Sequence, residues 1–208
     1  MKLILFVALF INSMLIFSQE NYRPELFFRE DWKETPPEIP LSQNHVDNID
    51  LILNLYGDGQ DSLKKSNHDR PVDDPFYVWS GLCLDNWLVS LKHKKYNVDL
   101  TGFSKIKWRS KQSGLRYLRL ALKLADGTWI VSDVNDGPSK DWRVTEFNIQ
   151  DIQWYRLDIN RVVEVGAATN PDLSNVEEVG FTDLMPGGKS NSCSRLDWIE
   201  VFGASVER

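Results

Sequence analysis

The chain is poor in the residues from which most active sites are made. It has three histidines and two cysteines among 208 residues. His45, His68 and His93 all sit in polar surroundings, where a histidine without a partner is solvated rather than poised for proton transfer. No HExxH and no GxSxG occurs, so the common zinc-hydrolase and serine-esterase signatures are missing. Gly188-Lys189-Ser190 has the ending of a phosphate loop, but Asp183 stands where its first glycine should be, and no helical pattern follows. Asp133 to Gly137 mimics a calcium loop, but its glycine comes one residue early and no glutamate closes it. Gly57 and Gly59 follow a strand pattern without opening a helix, and read as a turn. An excess of positive charge is absent too. The formal net charge is −6, which gives no reason to expect nucleic acid as a partner. Helical periodicity is scarce, and there is neither an internal repeat nor a low-complexity tract.

There is one long apolar run, at the start. Lys2 precedes it, Phe17 ends it, and Ser18 and Gln19 follow. A basic start, a short apolar segment and a small residue at its end are the pattern of a secretory signal peptide. A membrane span needs about 20 residues, so an anchor is the poorer reading. Residues 1–18 are therefore expected to be a signal peptide, and residues 19–208 one exported domain, periplasmic or secreted, with no membrane association after cleavage. Cys83 and Cys193 form an even pair in an exported chain, and a disulfide is expected between them. Two buried free thiols are the alternative.

What the sequence has in quantity is tryptophan, eight in all, and period-two alternation. From Phe103 to Asp133 three strand patterns follow one another. Ile106 and Trp108 alternate with Lys105, Lys107 and Arg109; Leu118, Leu120, Leu122 and Leu124 alternate with Tyr117, Arg119, Ala121 and Lys123; a third pattern begins at Thr128. Such alternation marks sheets with one buried and one wet face. Turn residues at Gln112-Ser113-Gly114 and Ala125-Asp126-Gly127 predict an antiparallel meander. Further strands are expected at Glu25–Trp32, Leu51–Tyr56, Phe76–Cys83, Trp87–Lys92, Arg143–Ile149, Trp154–Ile159, Val179–Leu184 and Leu196–Phe202. Helical turns are expected within Ser42–Asp50 and Pro171–Val176, and a long polar loop from Gly57 to Asp74. Many short strands with Gly, Pro, Asn and Asp between them predict an all-β protein, a single antiparallel jelly-roll β-sandwich.

The order of pieces resembles a known group. An early strand ending Glu30-Asp31-Trp32, the segment VDLTGFSKIKWRSK, DGTW, DWR, DLSNVEEVGFTDL and the closing RLDWIEVFG follow in turn. This is similar to the galactose-binding-like jelly rolls, in particular the carbohydrate-binding modules and the complex I intermediate-associated family. The resemblance covers roughly residues 26–203 and implies the sandwich fold. Members bind sugars, assist assembly or do neither, so it implies no single function. In such jelly rolls a structural calcium often ties the first strand to the last. Glu30, Asp31 and Asp197 are the oxygen donors in those segments here; the plainer reading is three surface acids. No other cofactor is expected.

Two features point to a ligand. In the meander Lys105, Lys107 and Arg109 face the same way as Tyr117, Arg119 and Lys123, because cross-strand partners on adjacent antiparallel strands share a face. Such a stripe needs compensation, from acids such as Asp133 or from an anionic ligand gripped by arginine forks. An ordinary solvated sheet face is the alternative. The second feature is the pairing of flat aromatics with polar neighbours in Asp85-Asn86-Trp87, Asp141-Trp142-Arg143 and Trp154-Tyr155-Arg156, which suits sugars, whose C–H faces stack on rings while their hydroxyls bond. Half or more of the tryptophans should be core, Trp108 first among them. The expectation is a carbohydrate-binding protein for an acidic, uronate- or sulfate-bearing polysaccharide, used in polysaccharide capture. Lys107, Arg109, Arg119, Lys123 and Arg143 would hold anions, and Trp79, Trp129, Trp142 and Tyr117 would offer rings. A polysaccharide lyase using Tyr117 and Arg119 is the enzymatic alternative, and an assembly protein without a small ligand the third.

Overall fold

A computed structural model describes residues 23–67, 76–185 and 191–208. The expected signal segment, His68, the second half of the expected Gly57–Asp74 loop and residues 186–190 lie outside them. The described chain is built of strands. In order they are β1 Leu26–Glu30, β2 Leu51–Tyr56, β3 Lys64–Ser66, β4 Tyr77–Trp79, β5 Leu88–His93, β6 Tyr96–Asp99, β7 Lys105–Ser110, β8 Leu118–Leu124, β9 Trp129–Asp136, β10 Arg143–Asn148, β11 Trp154–Asp158, β12 Val163–Ala167, β13 Val176–Thr182, β14 Arg195–Phe202 and β15 Ala204–Glu207. Three single 3₁₀ turns, at Gln43–His45, Gln60–Ser62 and Ile149–Asp151, are the helical structure among the described residues. The first falls inside the helical turn expected at Ser42–Asp50. Pro171–Val176 is not helical: the Asp172 carboxylate accepts from the Ser174 N–H and hydroxyl, which makes a tight turn instead.

The strands form two antiparallel sheets packed as a jelly-roll sandwich. One has six strands, in the order β10-β7-β14-β4-β3, with β1 also on β14. The other has nine, in the order β12-β11-β9-β8-β13-β5-β2, with β6 pairing β13 and β15. One core lies between them. Ile106, Trp108, Ile199 and Val201 reach it from the six-stranded sheet, and Val89, Leu118, Leu120, Leu122 and Phe181 from the nine-stranded one. Trp108 is fully buried, its ring 4.6 Å from that of Phe147.

The expected meander does not exist as one sheet. β8 pairs β9 and β13, whereas β7 pairs β10 and β14. The segment between β7 and β8 crosses the end of the sandwich instead of turning back. It is tied there by Lys111 and Ser113 N–H groups donating to Arg195 and Cys193 carbonyls, and by Arg116, whose guanidinium donates to the Ser192 and Met185 carbonyls. Both strands alternate because each faces the shared core, one from either side. Alternation cannot tell two neighbours in one sheet from two strands facing each other across a core.

Cys83 and Cys193 are both buried and free, so the expected bridge is not formed. Cys83 Sγ donates to Ser80 Oγ at 3.0 Å, and Cys193 Sγ lies 3.5 Å from Ser113 Oγ. The structural calcium allowed by the resemblance does not fit the residues present at the first and last strands, and the plainer reading of three surface acids holds only for Asp31, since Glu30 and Asp197 are buried. Glu30 Oε1 accepts the N–H groups of Trp32 and Asp47, and Oε2 that of Asn48. Asp31 is held by Arg29 and Asp197 by Arg109. Among the described residues no three His, Cys, Asp or Glu side chains come together, and calcium needs six or more oxygens.

Candidate functional site

The split of the meander divides the expected basic stripe between opposite surfaces of the sandwich. On the outside of the six-stranded sheet, Lys105 and Lys107 both meet Glu146 at 3.1 Å, and Arg109 meets Asp197 at 3.1 Å. Arg109 also stands over the Trp142 ring at 5.7 Å, and that ring packs on Tyr77 at 5.3 Å. Arg143 is locked onto the buried Asp136 carboxylate. Trp79 is half-buried with Lys64 over its ring at 5.4 Å. Every basic residue expected to hold an anion on this side already has an acidic partner.

Tyr117, Arg119, Lys123 and Trp129 belong to the outer face of the nine-stranded sheet. This face is concave. Tyr56 on β2 and Trp129 on β9 are four strand spacings apart in the sheet order, about 19 Å if it were flat. Their ring centroids are nevertheless 5.0 Å apart. Beneath them Glu178 is buried and accepts bonds from Asn54, Tyr56, Ser90 and Lys123. Burial and then the Glu178 charge push the Tyr56 hydroxyl up to about 12, so it stays a neutral donor. Lys123 also pairs with Glu177. Burial opposes ionisation of Glu177, but bonds from Lys92 and Lys123 hold it below the usual carboxylate range. Lys123 is therefore a strut and not a free cation. Trp129 is 5% exposed, its ring largely taken up by Tyr56; it also lines a second open cavity of about 350 Å³ with Thr128, Arg156, Asp158 and Ile159.

Tyr117 and Arg119 do come together, in an open cleft of about 430 Å³ at the other end of the concave face. Its wall is formed by Tyr117 at the entry to β8, Arg119 on β8, Asp133 and Asn135 on β9, Tyr155 on β11 and Glu164 on β12, with Leu184 and Met185 after β13. Each is placed by a local reason. Tyr117 lies against Gly137, where a Cβ would sit 2.7 Å from its ring. Arg119 donates from Nε to the Ser132 carbonyl, and from Nη1 to Glu164 at 2.8 Å. Its guanidinium lies 5.9 Å from the Tyr155 ring centroid. Asp133 Oδ1 accepts the N–H groups of Val134 and Gln153, which fixes the bulged middle of β9. The cleft thus carries two phenol rings, an amide, one guanidinium and two carboxylates. Within it the acids outnumber the base.

Of this lining, the sequence points to Tyr117 and Arg119 as a pair, and to Asp133 and Tyr155 only for other reasons. It does not point to Asn135, Glu164, Leu184 or Met185. Glu164 lies on β12, an edge strand paired only with β11, whose side chains are largely exposed, so Val163-Glu164-Val165 carries little strand signal.

No protein-family model matches the chain, and no curated protein matches it by sequence. Solved structures similar to it include the family 11 carbohydrate-binding module of Clostridium thermocellum in complex with a beta-1,3-1,4-mixed-linked tetrasaccharide, at 13% identity over 85% of this chain and 100% of that one, with a TM-score of 0.45. Others are TmCBM61 in complex with beta-1,4-galactotriose, at 11% identity over 73% and 88% of the two chains with a TM-score of 0.40, and the family 29 module CBM29_1 of Piromyces equi, at 12% identity over 75% and 93% with a TM-score of 0.38. At identities and scores this low the likenesses assign neither a family nor a ligand to this chain.

Proposed function

We propose that the protein is an exported carbohydrate-binding module that holds a neutral sugar in the cleft between Tyr117, Arg119, Tyr155 and Glu164. The observation that carries this reading is the cleft's mixture of partners. Two phenol rings offer apolar faces with a polar tip. Around them stand planar groups that bond hydroxyls in pairs: a guanidinium, an amide and two carboxylates. A few fixed polar groups in an aromatic-lined concavity are what a small-molecule site needs. The same inventory argues against an acidic glycan. Arg119 is already neutralised by Glu164, Asp133 adds a second negative charge, and a uronate or sulfate would meet repulsion there.

The lyase alternative is weaker for the same reason. That reaction needs a cation free to neutralise a uronate, and Arg119 is engaged. The test is calorimetric titration of the mature protein with neutral and acidic oligosaccharides, with absorbance of unsaturated uronate followed alongside. Saturable binding of neutral sugars is expected, weakened at least about tenfold in Tyr155→Ala, with flat absorbance. Binding of acidic glycans alone, or of none, would sink the reading, and rising absorbance would replace it with the lyase.

A further inference from the structure

The concave face is mostly closed by the protein itself, and this bears on what part of a glycan the cleft can take. Leu88, Ala121 and Val131 point away from the main core, yet each is fully buried. They form a second apolar cluster with Trp129, Leu157 and Val162, against which Tyr56, Tyr155, Ile159 and Leu184 pack. The cover is the turn from β11 to β12. Val162 is driven into the face with no exposed surface, at a φ of 49° that β-branched residues avoid. Asn86 pins the turn by donating to the Arg161 and Val162 carbonyls.

Such a strained residue persists only where its surroundings over-determine it, so the turn is a fixed plug. Tyr155 and Leu184 belong both to the plug's apolar cluster and to the cleft lining. The cleft is therefore walled at one end by the plug, which parts it from the second cavity beside Trp129 and Leu157. A glycan running along the concave face would have to pass through the space that Val162 and Trp129 fill.

Resting on the carbohydrate reading above, we propose that the cleft recognises the end of a neutral glycan chain and not its interior. The discriminating experiment uses the wild-type protein and a neutral polysaccharide, cleaved to a series of shorter chains and titrated at equal mass. The number of binding sites should rise in proportion to the number of chain ends, and affinity should stop increasing once the oligomer is a few sugars long. Site number that follows mass whatever the chain length would overturn the end-on proposal while leaving carbohydrate binding intact. Absence of binding across the series would overturn both together.

Discussion

At the scale of single residues, the most committed side chains are acids placed where water cannot reach them. Asp136 is buried between the sheets. It accepts from the Trp108 indole at 2.9 Å, from Ser110 and from Arg143. Asp136→Ala would leave two buried donors and a guanidinium without their acceptor, a loss of about 3 kcal/mol. Urea denaturation should show it; a loss below about 1 kcal/mol would mean that the network is idle. Lys105, by contrast, pairs with a partly exposed Glu146, and Lys105→Ala should change stability by less than about 0.5 kcal/mol. Asp197 behaves differently again. Burial pushes its carboxyl up to about 7, against the opposing pull of Arg109, while in the unfolded chain it titrates near about 4. Between those values the folded protein holds a proton that the unfolded chain has released, so stability from this group falls as pH rises from about 4 to about 7 and is level above. The slope cannot exceed about 1.4 kcal/mol per pH unit. Unfolding free energies of the wild type and Asp197→Asn, compared across that window, should diverge in slope; parallel curves would contradict the assignment.

At the scale of elements, strand periods were legible and strand partners were not. β7, β8 and β14 were visible because each has one face in the core, which is what period two reports. β12 and β15 are not legible, since both are edge strands with largely exposed side chains, and an edge has no buried face to write into the sequence. The plug between β11 and β12 was equally hidden: its burial depends on Gly57 and Asn86, more than 70 residues earlier in the chain. Gly57 has a φ of 84°, and a Cβ there would lie 2.4 Å from the Asn86 carbonyl oxygen and 2.7 Å from Val162 Cγ2. Gly127 has a φ of 87° with nothing near. Alanine at Gly127 should therefore cost about 1–2 kcal/mol, the strain of the left-handed backbone alone. Alanine at Gly57 should cost clearly more, and should also make the 158–163 turn cleavable by a protease under native conditions. Equal losses for the two variants would show that the plug does not bear on Gly57.

At the scale of the whole molecule, the cleft exists only because the nine-stranded sheet curves. Four strands and the segment after β13 converge on it, and no local pattern announces that Arg119 meets Glu164 across two intervening strands. The sequence could show that Tyr117 and Arg119 share a face, but the acid that neutralises Arg119 is a property of the closed sandwich. The cysteines show the same dependence on the assembled fold. Cys83 and Cys193 are 1% and 2% exposed, at the end where the Ser80 N–H and the Ser194 carbonyl join the β4 and β14 ends. Burial pushes the Cys83 thiol up, the Ser80 bond working against it, so a thiolate-seeking reagent finds neither access nor anion. Both sulfurs lie in loops at that end, outside the strands and the two apolar clusters, so opening of that end is enough to expose them. Within minutes the native protein should titrate no thiols with a disulfide reagent, and two in denaturant without reductant. Over hours both should label in native buffer at one slow rate, the rate at which that end opens. Faster labelling at one cysteine would place it in a part that opens by itself, and the absence of thiols in denaturant would mean that the pair closes into a bridge.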